Sequence, residues 1–292
     1  MEREQAAEST SLAQVAAEAL ALAGGGRALL LQIAHPAIGR GVVEHSDFAN
    51  RVMDRFHATM TFVYAGTFGT PEEFAAVRRQ VNRAHAPVRA EQSGDEPAYN
   101  AFDPELQLWV SATLYRTMMD LYAHVYGPLS PEDAQRVYQE FTGTGTQLQI
   151  PAEAWPPTAA DFDAYWDGMV RTLRVTDGTR AVSRQILHPR NVPIWLRLVL
   201  PEARLLTAGL LPPSVREQFE LPWNERLNAR FERRMRWTAA VYPRLPAWLR
   251  HGPRDAYLRR LRRSLARAGS NGSDASAIGR PGRSKDGMAP SD

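Results

Sequence analysis

Residues 51–89 read RVMDRFHATMTFVYAGTFGTPEEFAAVRRQVNRAHAPVR. Phe74, Val77, Val81, His85 and Val88 recur at intervals of 3, 4, 4 and 3, which is one face of an amphipathic helix. Arg78, Arg79 and Arg83 fall on the other side, toward water. Gly66 and Gly69 surround a break before this helix, and Thr70-Pro71 supplies a cap followed by proline in the first turn. Pro87 removes a donor and clashes one turn back at Arg83, so the helix should kink or end near His85. On the preceding helix Arg55 and Thr59 lie four apart and share a face. His85 then has two readings. An imidazole in an apolar wall suits a haem iron, because neutral imidazole ligates and the wall holds the porphyrin. It equally suits a core histidine bonded to a backbone carbonyl, since perturbed buried groups are often structural.

Outward from this stretch the chain reads as helix after helix. Upstream, Leu12, Val15, Ala19 and Leu22 keep helical spacing within residues 1–23, and Gly24-Gly25-Gly26 suggests a turn. The triplet lacks the Lys-Ser/Thr of a phosphate loop. The apolar run Ala28 to Ala34 stops at His35-Pro36, and Ser46-Asp47 suggest a turn or cap. Downstream, residues 91–100 read as loop. Asp103-Pro104 opens a helix with Leu106, Trp109, Val110, Thr113, Leu114, Thr117 and Leu121 along one side. Met118 and Met119 suit either a ligand pocket or ordinary core. Ser130 caps a helix to about Phe141, and Thr158 caps another. Pro201 and Pro212-Pro213 are expected to split the next segment into two amphipathic helices. That segment, with Trp195, Leu196, Leu198, Val199, Leu205 and Leu206, suits core packing or a membrane interface.

No stretch alternates with period two, so the expected fold is all-α. The expected organisation is an N-terminal helix over 1–23, one helical domain over 24–268 and a disordered Gly/Ser/Pro-rich tail over 269–292.

Composition narrows the chemistry. There is no cysteine among 292 residues, which excludes disulfides, zinc-thiolate sites, iron–sulfur clusters and thiolate-ligated haem. A bound metal must use His, carboxylates or hydroxyls; a cluster of His35, His45 and His57 is one way to hold non-haem iron. The chain carries a net +3, yet residues 250–292 hold ten Arg and Lys against four Asp. The basic character is therefore C-terminal and reads as a solvated helix end, with no nucleic-acid motif. No apolar run approaches a membrane span of about 20 residues, and no basic-then-apolar leader is seen. The expected location is cytoplasmic, with peripheral membrane contact open.

Five stretches carry a resemblance: LLLQIAHPAIGRGVVEHSDF, RFHATMTFVYAGTFG, VNRAHAPVR, YNAFDPELQLWVSATL and LTAGLLPPSVREQF. In this order they resemble the MpaB-type and rubber oxygenase (latex-clearing protein) family. The resemblance implies a globin-like all-α core holding b-type haem. It implies that His85 is the proximal iron ligand and that Arg55 and Thr59 face the haem pocket as cofactor-binding and catalytic residues. It implies molecular oxygen and an apolar, isoprenoid or lipid-like unsaturated substrate. Rubber oxygenases carry a lysine directly before the threonine, where this chain has Ala58. Alanine's side chain neither coordinates nor donates, leaving the sixth position open, water-filled or served by another group such as His57. The family's catalytic base has no secure match beyond Glu44. A non-catalytic haem- or lipid-binding protein is the alternative reading.

Overall fold

The computed structural model describes residues 9–45, 48–189 and 194–277, with the side chains of 48–52, 195, 196 and 269–277 outside that description. The expected turn at Ser46-Asp47, the Trp195 and Leu196 side chains and the tail from residue 278 onward lie outside the described residues. Within them the fold is all-α. The helices are α1 (Leu12–Ala17), α2 (Leu20–Ala23), α3 (Gly25–Ile33), α4 (Pro36–His45), α5 (Phe48–Phe68) and α6 (Pro71–His85). After a minimal hairpin, β1 (Arg89–Ala90) with β2 (Tyr99–Asn100), come α7 (Pro104–Tyr126), α8 (Pro131–Gly145), α9 (Ala159–Thr172) and α10 (Asp177–Leu187). The rest are α11 (Ile194–Leu210), α12 (Pro213–Gln218), α13 (Glu225–Val241), α14 (Ala247–Arg250) and α15 (Gly252–Ala277). No helix among the described residues is long and apolar enough to cross a membrane.

α7 is the axis of the fold. Asp103 caps it, accepting from the amides of Glu105 and Leu106, and Gly127 at φ +90° ends it. A single apolar side was expected, but Leu108, Trp109, Ala112, Tyr115, Leu121 and Val125 are buried around the helix. The reason is that α3, α8 and α13 all pack against it. On one side Tyr115, Tyr138, Phe141, Trp155 and Phe162 form an aromatic cluster with ring centres about 5–6 Å apart. Leu12, Val15 and Ala16 of α1 belong to the same core, and Met118 and Met119 pack against it.

The glycine triplet corrects the sequence reading. Gly24 caps α3 and Gly25 and Gly26 lie inside it. A Cβ on Gly24 would stand 2.3 Å from Thr117 Cγ2, one on Gly25 2.8 Å from Phe56 Cε2 and one on Gly26 2.3 Å from Thr207 Oγ1. The triplet is a point where α3 meets α7, α5 and α11 at backbone distance. Gly24→Ala is expected to destabilise by about 1–3 kcal/mol through overpacking, and alanine is also the poorer residue at a helix cap. Gly143→Ala, where a Cβ meets open space within α8, is expected to stabilise by up to about 1 kcal/mol. Urea unfolding of the two variants reads these opposite signs.

Four other expectations change. Pro201 lies inside α11 and does not split it; only Pro212-Pro213 breaks the segment. α8 runs past Phe141 to Gly145. The 91–100 loop is closed at its base by Arg89 paired with Asn100 and Ala90 with Tyr99, a ladder too short to leave a period in the sequence. α15 continues to Ala277, into the stretch expected as tail.

Candidate functional site

α5 and α6 form an antiparallel hairpin with its turn at Gly69 and Thr70. Thr70 Oγ1 accepts from the Glu73 amide at 3.2 Å, and Glu73 Oε2 accepts from the Thr70 amide at 3.0 Å. This reciprocal cap fixes where α6 begins. The Phe62 and Phe74 rings lie 5.3 Å apart across the hairpin. Gly66 sits where a Cβ would be 3.0 Å from Thr144 of α8 and 3.4 Å from Phe74. Arg55 stands fifteen residues before Thr70 and His85 fifteen after it. At about 1.5 Å per residue, equal arms bring the two to the same open end of the hairpin.

The α6 stripe forms as its spacing predicts. Val77 is buried, Phe74, Val81 and His85 are half-buried, and Arg78, Arg79 and Arg83 face solvent. The helix stops at His85, two residues before Pro87. The His85 Nδ1 is buried without a hydrogen-bond partner. Burial, and then the positive charge of Arg55, push its pKa below the ordinary histidine value. Its imidazole is neutral at pH 7. No backbone carbonyl accepts from Nδ1. Arg55 and Thr59 lie on the exposed side of α5, and the Thr59 hydroxyl donates to the Arg55 carbonyl at 3.0 Å.

His35 is a second histidine with an unpartnered buried Nδ1, and burial lowers its pKa against the opposing pull of Asp103. Both rings take protons less readily folded than unfolded. Below the unfolded value near 6.5, the unfolded chain therefore binds more protons, and stability falls as pH falls. The expected result is a lower urea midpoint at pH 5 than at pH 7.5, with the gap narrowed in the double variant His35→Gln, His85→Gln. An unchanged gap would assign the pH dependence to other groups.

The remaining sequence candidates are placed elsewhere. His57 Nδ1 lies 2.6 Å from the Tyr257 hydroxyl of α15. Two residues along a helix is about 200° of rotation, so His57 faces away from Arg55 and Thr59. His45 meets Tyr99 edge-on. His35, His45 and His57 do not converge, and among the described residues no three His, Asp or Glu come together to hold a metal ion. The three-histidine cluster does not form, since His45 is turned to Tyr99 and His57 to Tyr257. Glu44 accepts from the Tyr99 hydroxyl at 2.5 Å and from Arg40 Nε at 2.8 Å. Those bonds hold its carboxyl below the usual carboxylate range, which makes it a weak base.

Sequence reasoning did not single out the back of the hairpin. Tyr64 is fully buried with an unpartnered hydroxyl, and burial pushes its pKa up to about 12. It packs with Met60 of α5 and Leu258 of α15. Arg262 Nε pairs with Glu73 at 2.8 Å. α15 thus straps both helices that carry Arg55, Thr59 and His85. Tyr257, Leu258 and Arg262 lie about 200 residues from their partners, and no local spacing announces them. Surface cavities of about 450 and 570 Å³ lie at Asp103–Leu108 and along the arginines of α15; neither is lined by His85.

The catalytic-domain profile of the ER-bound oxygenase mpaB/B′ and rubber oxygenase family matches residues 12–240. The chain belongs to this family. The matched span holds the whole α5–α6 hairpin and stops before α14 and α15, so the C-terminal strap lies beyond it. An uncharacterized protein of Mycobacterium bovis and one of Mycobacterium tuberculosis are each 36% identical over 209 residues, covering 70% of this chain and 82% of theirs. No solved structure matches the chain. Membership makes oxygenase chemistry, hence an oxidoreductase, the family's activity.

Proposed function

We propose that this member is a haem-b-dependent oxygenase acting on an apolar, unsaturated, isoprenoid or lipid-like substrate, with oxidative cleavage of a C=C bond as its reaction. The observation that carries the reading is the buried, neutral, unpartnered Nδ1 of His85 at the open end of the hairpin. A neutral imidazole nitrogen lacking a partner is what an iron centre requires of a ligand. In this reading the helices around α5 and α6 make a globin-like core. When bound, haem supplies the iron at which oxygen is activated.

The chain's own residues would do the rest. His85 would hold the iron. Arg55 would take a propionate carboxylate, since its planar fork matches a carboxylate in two hydrogen bonds. Thr59 would turn its hydroxyl from the Arg55 carbonyl toward the distal side. Ala58 contributes no ligand or donor there, which points away from rubber itself as the substrate. Val77 and Val81 keep water from the His85 side.

Protein purified from haem-supplemented cells should show a Soret band and a b-type pyridine haemochrome. A colourless protein, even after haem addition, would overturn the proposal. Ala58 also favours a second reading, a haem- or lipid-binding protein without turnover. Oxygen uptake with product formation from terpenoid lipids excludes it.

A further inference from the structure

Described apolar side chains in the first two turns of α11 stand exposed. Ile194 is 78% exposed, Leu198 80% and Val199 47%, whereas Leu205, Ala208 and Leu210 of the same helix are buried. Packing on the core therefore accounts for only the second half of α11. α13 packs beside it. Gly209 abuts the Phe231 ring, and one turn or more back along α11 the Glu202 carboxylate pairs with Arg230 and accepts from Arg234 Nε at 3.0 Å. Leu198 lies one turn before Glu202 on α11, and Trp237 one turn beyond Arg234 on α13. Trp237 is 57% exposed, with the Arg234 guanidinium 5.5 Å from its ring centre.

The polar setting of this patch is predominantly basic, although Glu202 offsets part of the charge of Arg230 and Arg234. Arg226, Arg230 and Arg233 precede Trp237 at intervals of 4, 3 and 4, a single stripe along α13. Arg226, Arg230, Arg233, Arg234 and Arg236 are all exposed, against Glu225 and Glu232 on the same helix. Apolar side chains with an indole at their edge and an arginine stripe beside them match the layering of a bilayer surface. Alkyl groups enter the acyl boundary, indole sits at headgroup level and guanidinium meets phosphate. A second copy on this face would bring two arginine stripes together. A nucleic acid would leave the aliphatic centre against nothing apolar.

We propose that the α11–α13 face docks this protein on an anionic lipid bilayer, with Ile194, Leu198, Val199 and Trp237 inserted and the α13 arginines on lipid phosphates. This holds whether or not haem is bound. The test is flotation of the full chain with vesicles of phosphatidylcholine alone and of phosphatidylcholine with one quarter phosphatidylglycerol. The chain should float with the anionic vesicles only, and less in high salt. Leu198→Glu should lower binding at least about tenfold, because it replaces a buried leucine by a charge. Arg233→Glu with Arg236→Glu should do likewise, while Arg259→Glu with Arg263→Glu on α15 should leave binding unchanged. Circular dichroism confirms that these surface variants remain folded. Equal binding to neutral vesicles, binding indifferent to Leu198→Glu, or loss only in the α15 variant overturns the proposal. So does a dimer in solution that Leu198→Glu turns into a monomer, since a second copy would then cover the face.

Discussion

Asp120→Ala is expected to lower stability by about 3 kcal/mol, or roughly 6–12 °C in melting temperature. The reason lies in Arg27, a guanidinium only 4% exposed on α3. Its Nη2 donates to Asp120 Oδ2 at 2.6 Å, while its Nε and Nη1 have no partner. Burial pulls the Arg27 pKa down even with Asp120 alongside, so the folded state already bears a desolvation cost. Arg116 shares Asp120 at 3.2 Å and also pairs with Asp163, and both guanidinium carbons lie within 6 Å of the Trp166 ring centre. Removing the carboxylate strands the buried Arg27 beside the like charge of the partly exposed Arg116. Replacing both members, Arg27→Met with Asp120→Leu, should recover most of the loss, because a buried pair is worth little against apolar packing. Urea unfolding of the two variants checks this; equal losses would mean that packing volume, and not the stranded charge, sets the cost.

His85→Ala is expected to abolish haem retention while leaving the fold intact. Altering the hydrogen-bond partners of a metal ligand costs about 10–100-fold in affinity, so deleting the ligand itself costs at least that. The fold should tolerate the change, since His85 is half-buried at the last residue of α6 and makes no hydrogen bond through Nδ1. Far-ultraviolet circular dichroism and the Soret absorbance of wild type and variant, prepared side by side, separate the outcomes. Added imidazole should restore the band to His85→Gly by filling the vacated space. A variant that keeps its full Soret band would place the iron ligand elsewhere and remove His85 from the site.

The two predictions differ in how visible their residues are in the chain. His85 stands out because α6 is amphipathic: a polar ring repeating in register with Phe74, Val77 and Val81 is conspicuous. Its cap at Thr70 and its end near Pro87 are equally local signals, and both form as expected. Arg27 and Asp120 carry no such signal. Their spacing of 93 residues means that only the packing of α3 on α7 brings them together. The glycine triplet shows the same limit from the other side. Locally it reads as a turn; the chain turns only at Gly24, and Gly25 and Gly26 are tolerated only as glycine inside α3 because Phe56 and Thr207 leave no room for a Cβ. Pro201 likewise breaks no helix, although its local signal says it should.

Helix positions and caps are short-range matters. They depend on 3.6-residue periodicity, on proline and on side-chain caps within three residues, all of which are written in the chain. The all-α character was therefore settled by the order of residues, whereas spacing alone left His85 between an iron ligand and a core histidine. Tertiary packing alone decided which face of α5 is covered by α15, that His57 answers to Tyr257, that three histidines stay apart and that half of α11 stays bare. Such choices rest on apolar burial and charge pairing between segments up to about 200 residues apart, and those forces have no period along the sequence.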